Sequence, residues 1–155
     1  MLGNHYFMVR KFYSACSEYE EVLKAHPSNY AVMKRLIICY LKLGNYRKGF
    51  KLYYSLILKK PELLFTDTTD QEICPCQEII NDLQASAPAH LNEKEYYLTL
   101  AMLWSFRDVK ESLNYFRQVQ EMGYNIGKIE NLIQRLESLI QQVNPPNSNQ
   151  FQRKE

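Results

Sequence analysis

The chain has 155 residues, 46% of them hydrophobic and 23% charged, with 12 Tyr against five Gly and six Pro; one domain with a continuous core is expected at this length, and so few turn-formers argue against a β protein. Nineteen Lys and Arg stand against 17 Asp and Glu, a formal net charge of +2, which is too balanced to argue for nucleic acid or an anionic membrane surface. Nothing resembles a secretory leader in residues 1–11, and no uncharged apolar run approaches the about 18 residues of a membrane span, so membrane insertion is not expected and a cytoplasmic location is the default.

Sliding the chain against itself by about 34 residues exposes an internal repeat. Leu2 pairs with Leu36, Tyr6 with Tyr40, Phe12 with Tyr46, Ala15 with Gly49, Tyr19 with Tyr53, Val22 with Leu56 and Pro27 with Pro61. The first unit, about 2–29, opens at Met1 partway along its first helix, so that helix is predicted to be short. In the second unit, about 30–63, Val32, Met33, Leu36, Ile37, Tyr40 and Leu43 recur at helical spacing and predict a helix over 31–43. Gly44 and Asn45 then break the helix. A second amphipathic helix is predicted over 46–58, stopped by Pro61. A small residue at Ala15 or Gly49 lets the paired helices approach, and the aromatic four positions later fills the same face.

Leu2-Gly3-x-x-Tyr6, Ala15-x-x-x-Tyr19 and Pro27 resemble the tetratricopeptide repeat, and Leu36, Tyr40, Gly49, Tyr53 and Pro61 repeat the pattern with Ile37 in place of the usual Gly. A third unit, about 94–125, reads Leu100-Ala101-x-x-Trp104 and Ser112-x-x-x-Phe116, with one residue fewer in its turn and Tyr124 in place of the proline. The resemblance implies an all-α fold, a right-handed solenoid of antiparallel helix hairpins, in a single domain over 1–143.

An irregular helical insert is expected over 64–93. It offers N-cap candidates at 66–70 and a helix from near Gln71 or Pro75 to Ala85. Residues 127–143, with Ile129, Leu132, Ile133, Leu136, Leu139, Ile140 and Val143 on one face, predict an amphipathic helix that caps the last hairpin. The Pro-, Asn- and Gln-rich tail, 144–155, is expected to be disordered.

No catalytic constellation is suggested by spacing, no cofactor is expected and the chain does not read as an enzyme. Cys74-Pro75-Cys76 lacks the spacing and additional ligands of a zinc site; a turn or helix start with partly buried thiols is the plainer reading. A thiol- or metal-responsive role for Cys74 and Cys76 is the lesser alternative. The resemblance implies that the first helix of each hairpin lines a concave groove, which maps onto Asn4, Phe7 and Met8, then Lys34, Ile38, Leu41 and Lys42, then Leu98, Met102 and Phe106. Packing against neighbouring helices is the competing account of the apolar members. Capture of a chaperone C-terminal carboxylate, as some relatives of this type achieve, is disfavoured because Glu95 and Thr99 occupy slots that need cations. The expected function is that of an adaptor or scaffold holding a partner peptide or helix of unknown identity. Self-assembly is the alternative, with the clipped first helix stacking end to end on a copy of itself or on further repeats.

Overall fold

The computed structural model describes residues 1–65 and 75–143. The cap candidates at 66–70, Gln71, Cys74 and the tail from 144 lie outside the described residues. The architecture is all-helical, with eight α-helices and no strand among the described residues. They are α1 (Leu2–Met8), α2 (Phe12–Ala25), α3 (Tyr30–Lys42), α4 (Tyr46–Lys59), α5 (Cys76–Ala85), α6 (Glu93–Ser105), α7 (Val109–Glu121) and α8 (Ile126–Val143), with a 3-10 turn at Pro61–Phe65.

Four of the helices, α3, α4, α6 and α7, begin where a side chain takes up an orphan amide. Asn29 Oδ1 accepts from Val32 N at 3.2 Å and Asn45 Oδ1 from Lys48 N at 3.3 Å. Asn92 and Glu95 form a reciprocal capping box at the start of α6, and Asp108 caps α7; each such cap is worth about 1 kcal/mol. The three hairpin turns are three residues long and are closed differently. Gly44 adopts φ +79°, and Arg10, 34 residues earlier, is forced into the same left-handed region at φ 64°. No positive-φ residue occurs between α6 and α7, where the residue missing from the repeat is taken from the end of α6 rather than from the turn.

Apart from α4 and α5, helices that follow one another in the chain pack together. α1 pairs with α2, α3 with both α2 and α4, and α6 with α3, α4, α5 and α7. α8 turns back against α7 and α4. Ala15, Tyr19, Tyr53 and Phe116 are wholly buried and Leu36 and Tyr40 nearly so, while Tyr6 and Trp104, expected in the core, are half-buried at its margin. A Cβ on Gly49 would meet Leu41 Cδ2 at 2.9 Å, and one on Gly3 would meet Tyr19 Cε1 at 2.8 Å. These two glycines therefore set how closely the paired helices approach. Pro61 does end α4, but the chain continues directly into the 3-10 turn, which packs on α4 and α8.

Candidate functional site

The residues assigned to a groove come from three hairpins, and their packing joins some of them. Lys34 Nζ of α3 lies 5.6 Å from the centre of the Phe106 ring at the end of α6, a cation–π contact. Asn4 Oδ1 accepts from Tyr19 Oη at 2.8 Å and from Arg35 Nη1 at 3.3 Å, which ties α1 to α2 and α3. Phe7 belongs to the interior, edge-on to Phe12 and Tyr19. Phe106 is also buried and edge-on to Tyr53. Ile38, Leu41, Leu98 and Met102 are at most 2% exposed. Of the ten residues, only Met8 and Lys42 are exposed, and Asn4 and Lys34 are half-buried.

Helix α5, from outside the repeat, reaches all three hairpins. Its Glu78 accepts from Arg10 Nε, in the α1–α2 turn, at 2.9 Å. One turn later Asp82 pairs with Lys42 Nζ, at the end of α3, at 3.6 Å. At its far end Leu83 O accepts from Tyr96 Oη of α6 at 3.3 Å, and Gln84 donates to Tyr115 Oη of α7 at 3.3 Å. Between these polar contacts Cys76, Ile79 and Ile80 are 0–1% exposed and join the common core. Burial of two isoleucines contributes roughly 1.5–3 kcal/mol each, while the half-exposed ion pairs add little. Apolar burial therefore holds α5, and its carboxylates set its register. The i, i+4 pair Glu78 and Asp82 was the sequence signal for this seat; it has meaning only once Arg10 and Lys42 are known to lie on the same side.

The chemistry of the cysteines is subdued. Burial, and secondarily the Glu20 carboxylate, pushes the Cys16 thiol up to about 12; burial does the same to Cys39. Both thiols are protonated at neutral pH and poor nucleophiles. Cys76 is buried at the first position of α5 and disulfide-bonded. Among the described residues no group of three or more His, Cys, Asp or Glu could hold a metal ion, and no helix is long and apolar enough to cross a membrane.

A bridge from α4 to α6 runs through Glu95. Its carboxylate accepts from Asn92 N at 3.0 Å and from Tyr46 Oη at 2.8 Å, and those bonds hold its pKa below the usual range. A separate open cleft of about 500 Å³ lies on the α2–α4 side, over α3. No protein-family model, curated protein or solved structure matches the chain.

Proposed function

We propose that the chain is a protein-interaction adaptor of tetratricopeptide-like, right-handed solenoid architecture, and that it binds an amphipathic helix of a partner protein in a groove formed by α1, α3 and α6. In this reading α5 occupies the groove in the free protein, and the partner's helix takes its place. The observation that carries it is the seat of α5. A helix from outside the repeat buries Ile79 and Ile80 in the common core and reaches Arg10, Lys42 and Tyr96 on three hairpins. The same contacts define what a competing helix needs: adjacent apolar residues for the interior, and carboxylates one turn apart for Arg10 and Lys42. The mechanism is binding alone and includes no catalytic step.

The test loosens α5 without touching its isoleucines. Glu78→Arg with Asp82→Lys sets like charges against Arg10 and Lys42. The variant should exchange amide hydrogens faster in α5 than in α3 or α6. It should also bind a labelled peptide of residues 75–86 carrying Cys76→Ser, read by fluorescence anisotropy. Adding Lys42→Glu restores one ion pair and should lower that binding. A loosened α5 with no capture of the peptide would rule the groove out as a helix-binding site.

A second reading, end-to-end self-assembly, is favoured by Leu2, Met8, Val9 and Tyr13, which are 50–77% exposed along the first hairpin. Sedimentation at several concentrations tests it; a constant monomer mass removes it.

A further inference from the structure

We propose that the cleft between α2 and α4 is a second docking site, independent of the groove under α5, and that it takes an acidic amphipathic helix of a partner protein. Both α2 and α4 pack on α3, and where they diverge they leave the cleft of about 500 Å³. Its apolar floor is Leu23, Leu36 and Leu52, and its rim is Lys24, Lys48 and Lys51. Glu20 is the one acidic lining residue, and its carboxylate is already engaged by Tyr40 Oη at 2.8 Å and Cys16 Sγ at 3.5 Å. Lys24 pairs with Glu21 through side chains that are both more than 70% exposed, a contact water competes with readily. Lys48 lies 5.8 Å above the Tyr40 ring.

Charge identifies the partner. Residues 30–60 hold eight of the 19 Lys and Arg and none of the 17 Asp and Glu. The near-neutral total thus conceals one strongly basic hairpin, which supplies two of the three rim lysines. A leucine floor beneath them suits apolar side chains flanked by carboxylates. It lacks the stacked aromatic platform that single-stranded nucleic acid would use.

The helical form of the occupant has a counterpart within the chain. α4 and α7 are also the second helices of successive hairpins, and α8 packs against both. α8 buries Ile129, Leu132 and Leu136 and is pinned at its edges, where Asn131 Nδ2 donates to Tyr54 Oη at 3.1 Å and Arg135 Nη2 to Leu58 O at 2.6 Å. Arg117 of α7 holds Glu137 of α8 at 2.8 Å. Moving back 34 residues turns Tyr54 and Leu58 into Glu20 and Lys24, and both line the α2–α4 cleft. An amphipathic helix therefore sits across one pair of second helices, and the preceding pair offers a similar cleft that no described segment fills.

The probe is a fluorescein-labelled, helix-stapled peptide with Leu at i, i+4 and i+7 flanked by Glu, compared with the same peptide carrying Lys for Glu. The full chain should bind the acidic peptide, more weakly as salt rises, and should reject the basic one. Lys48→Glu with Lys51→Glu should weaken binding at least tenfold. Both side chains are exposed, and acids near the start of α4 favour the helix, so circular dichroism should stay unchanged. Glu78→Arg with Asp82→Lys, on α5, should leave this affinity unaltered. Four results would overturn the proposal: no binding by the wild type up to about 1 mM, equal binding of both peptides, no loss in the double lysine variant, or better competition by a single-stranded oligonucleotide than by unlabelled acidic peptide.

Discussion

Tyr19 and Tyr53 occupy the same slot in the first two repeat units and are both wholly buried, yet replacing each with Phe should move stability in opposite directions. Tyr19 Oη donates to Asn4 Oδ1 at 2.8 Å. Tyr19→Phe deletes that bond, at a net cost of about 0.5–1.5 kcal/mol. The lower half of that range applies, because Arg35 still reaches Asn4 at 3.3 Å and the amide oxygen is not orphaned. Tyr53 Oη makes no hydrogen bond of good geometry. Ser105 and Ser112 are its polar neighbours, but each has given its proton to a main-chain carbonyl, Met102 O and Ala101 O, both at 2.6 Å. Neither proton is therefore aimed at the phenol, and neither serine oxygen meets hydrogen-bond geometry as its acceptor. Burial pushes the Tyr53 phenol far up, and these hydroxyls oppose the shift only secondarily. Removing an unpartnered buried hydroxyl relieves a penalty of roughly 1–3 kcal/mol, less under about 1 kcal/mol for the small void left behind. Tyr53→Phe should therefore be neutral or stabilising, with Phe106 and Phe116 still in ring contact at 6.0 and 5.9 Å. Urea unfolding of both variants should separate them by about 1–3 kcal/mol, and thermal midpoints by several degrees at roughly 2–4 °C per kcal/mol. If Tyr53→Phe loses as much stability as Tyr19→Phe, the phenol is bonded to a serine, and Ser112→Ala in the Tyr53→Phe background would then cost less than it does alone.

Gly49→Leu should cost about 1–3 kcal/mol, since even a Cβ would meet Leu41 at 2.9 Å; an unchanged melting temperature would mean that α3 and α4 are not held by this contact. Gly44→Ala should destabilise by about 1–2 kcal/mol, because φ is +79° and His90 Nε2 lies 2.6 Å from the new Cβ; a calorimetric scan matching wild type would contradict the turn geometry. Cys16 and Cys39 are held up at about 12 in the folded chain against an ordinary thiol value near 8.5. The folded state thus retains these protons longer than the unfolded state, so their contribution is complete below about pH 8.5 and is lost progressively as pH rises toward 12. Urea midpoints should fall through that alkaline window, and midpoints independent of pH there would show that the thiols are solvated. Lys42→Glu alone should change stability by no more than about 1 kcal/mol, because the Asp82 pair is partly exposed, yet it should raise hydrogen exchange in α5; uniform exchange would mean that Lys42 does not help seat the helix.

The hairpins were legible because their signals are local. Asn29, Asn45 and Gly44 mark ends that fall within one residue of expectation, and the apolar period placed α8 to within a residue of 127–143. Arg10 shows where local reading stops. Nothing in its own neighbourhood asks for φ 64°, and only its alignment with Gly44 points to a turn. The seat of α5 was out of reach for a different reason. It joins residues 68 apart at Arg10–Glu78 and 40 apart at Lys42–Asp82, and no periodicity carries such distances. The groove positions were mapped from the repeat alone, and the structure brings two of them, Lys34 and Phe106, into ring contact. Ile38, Leu41, Leu98 and Met102 lie covered in the common core, as the competing account of packing against neighbouring helices expects. Total charge misled as well: it summed the basic second hairpin together with acids elsewhere in the chain.

The two helices outside the repeat divide the surface of the hairpins between them. α5 packs on α6 and is tied to the ends of α1 and α3, so it serves the first helices. α8 packs on α4 and α7, so it serves the second helices. Successive hairpins expose apolar side chains on both sides wherever neighbouring helices diverge, and each covering helix removes one such strip from water. The junction of α2 with α4 is left with a leucine floor and no described segment across it. An open leucine strip of that kind invites non-specific association. A lysine rim limits it, because like-charged surfaces repel one another across the cleft. The same lysines that keep this cleft soluble when empty would discriminate in favour of an acidic helix when it fills, so solubility and selectivity at this position follow from one set of side chains.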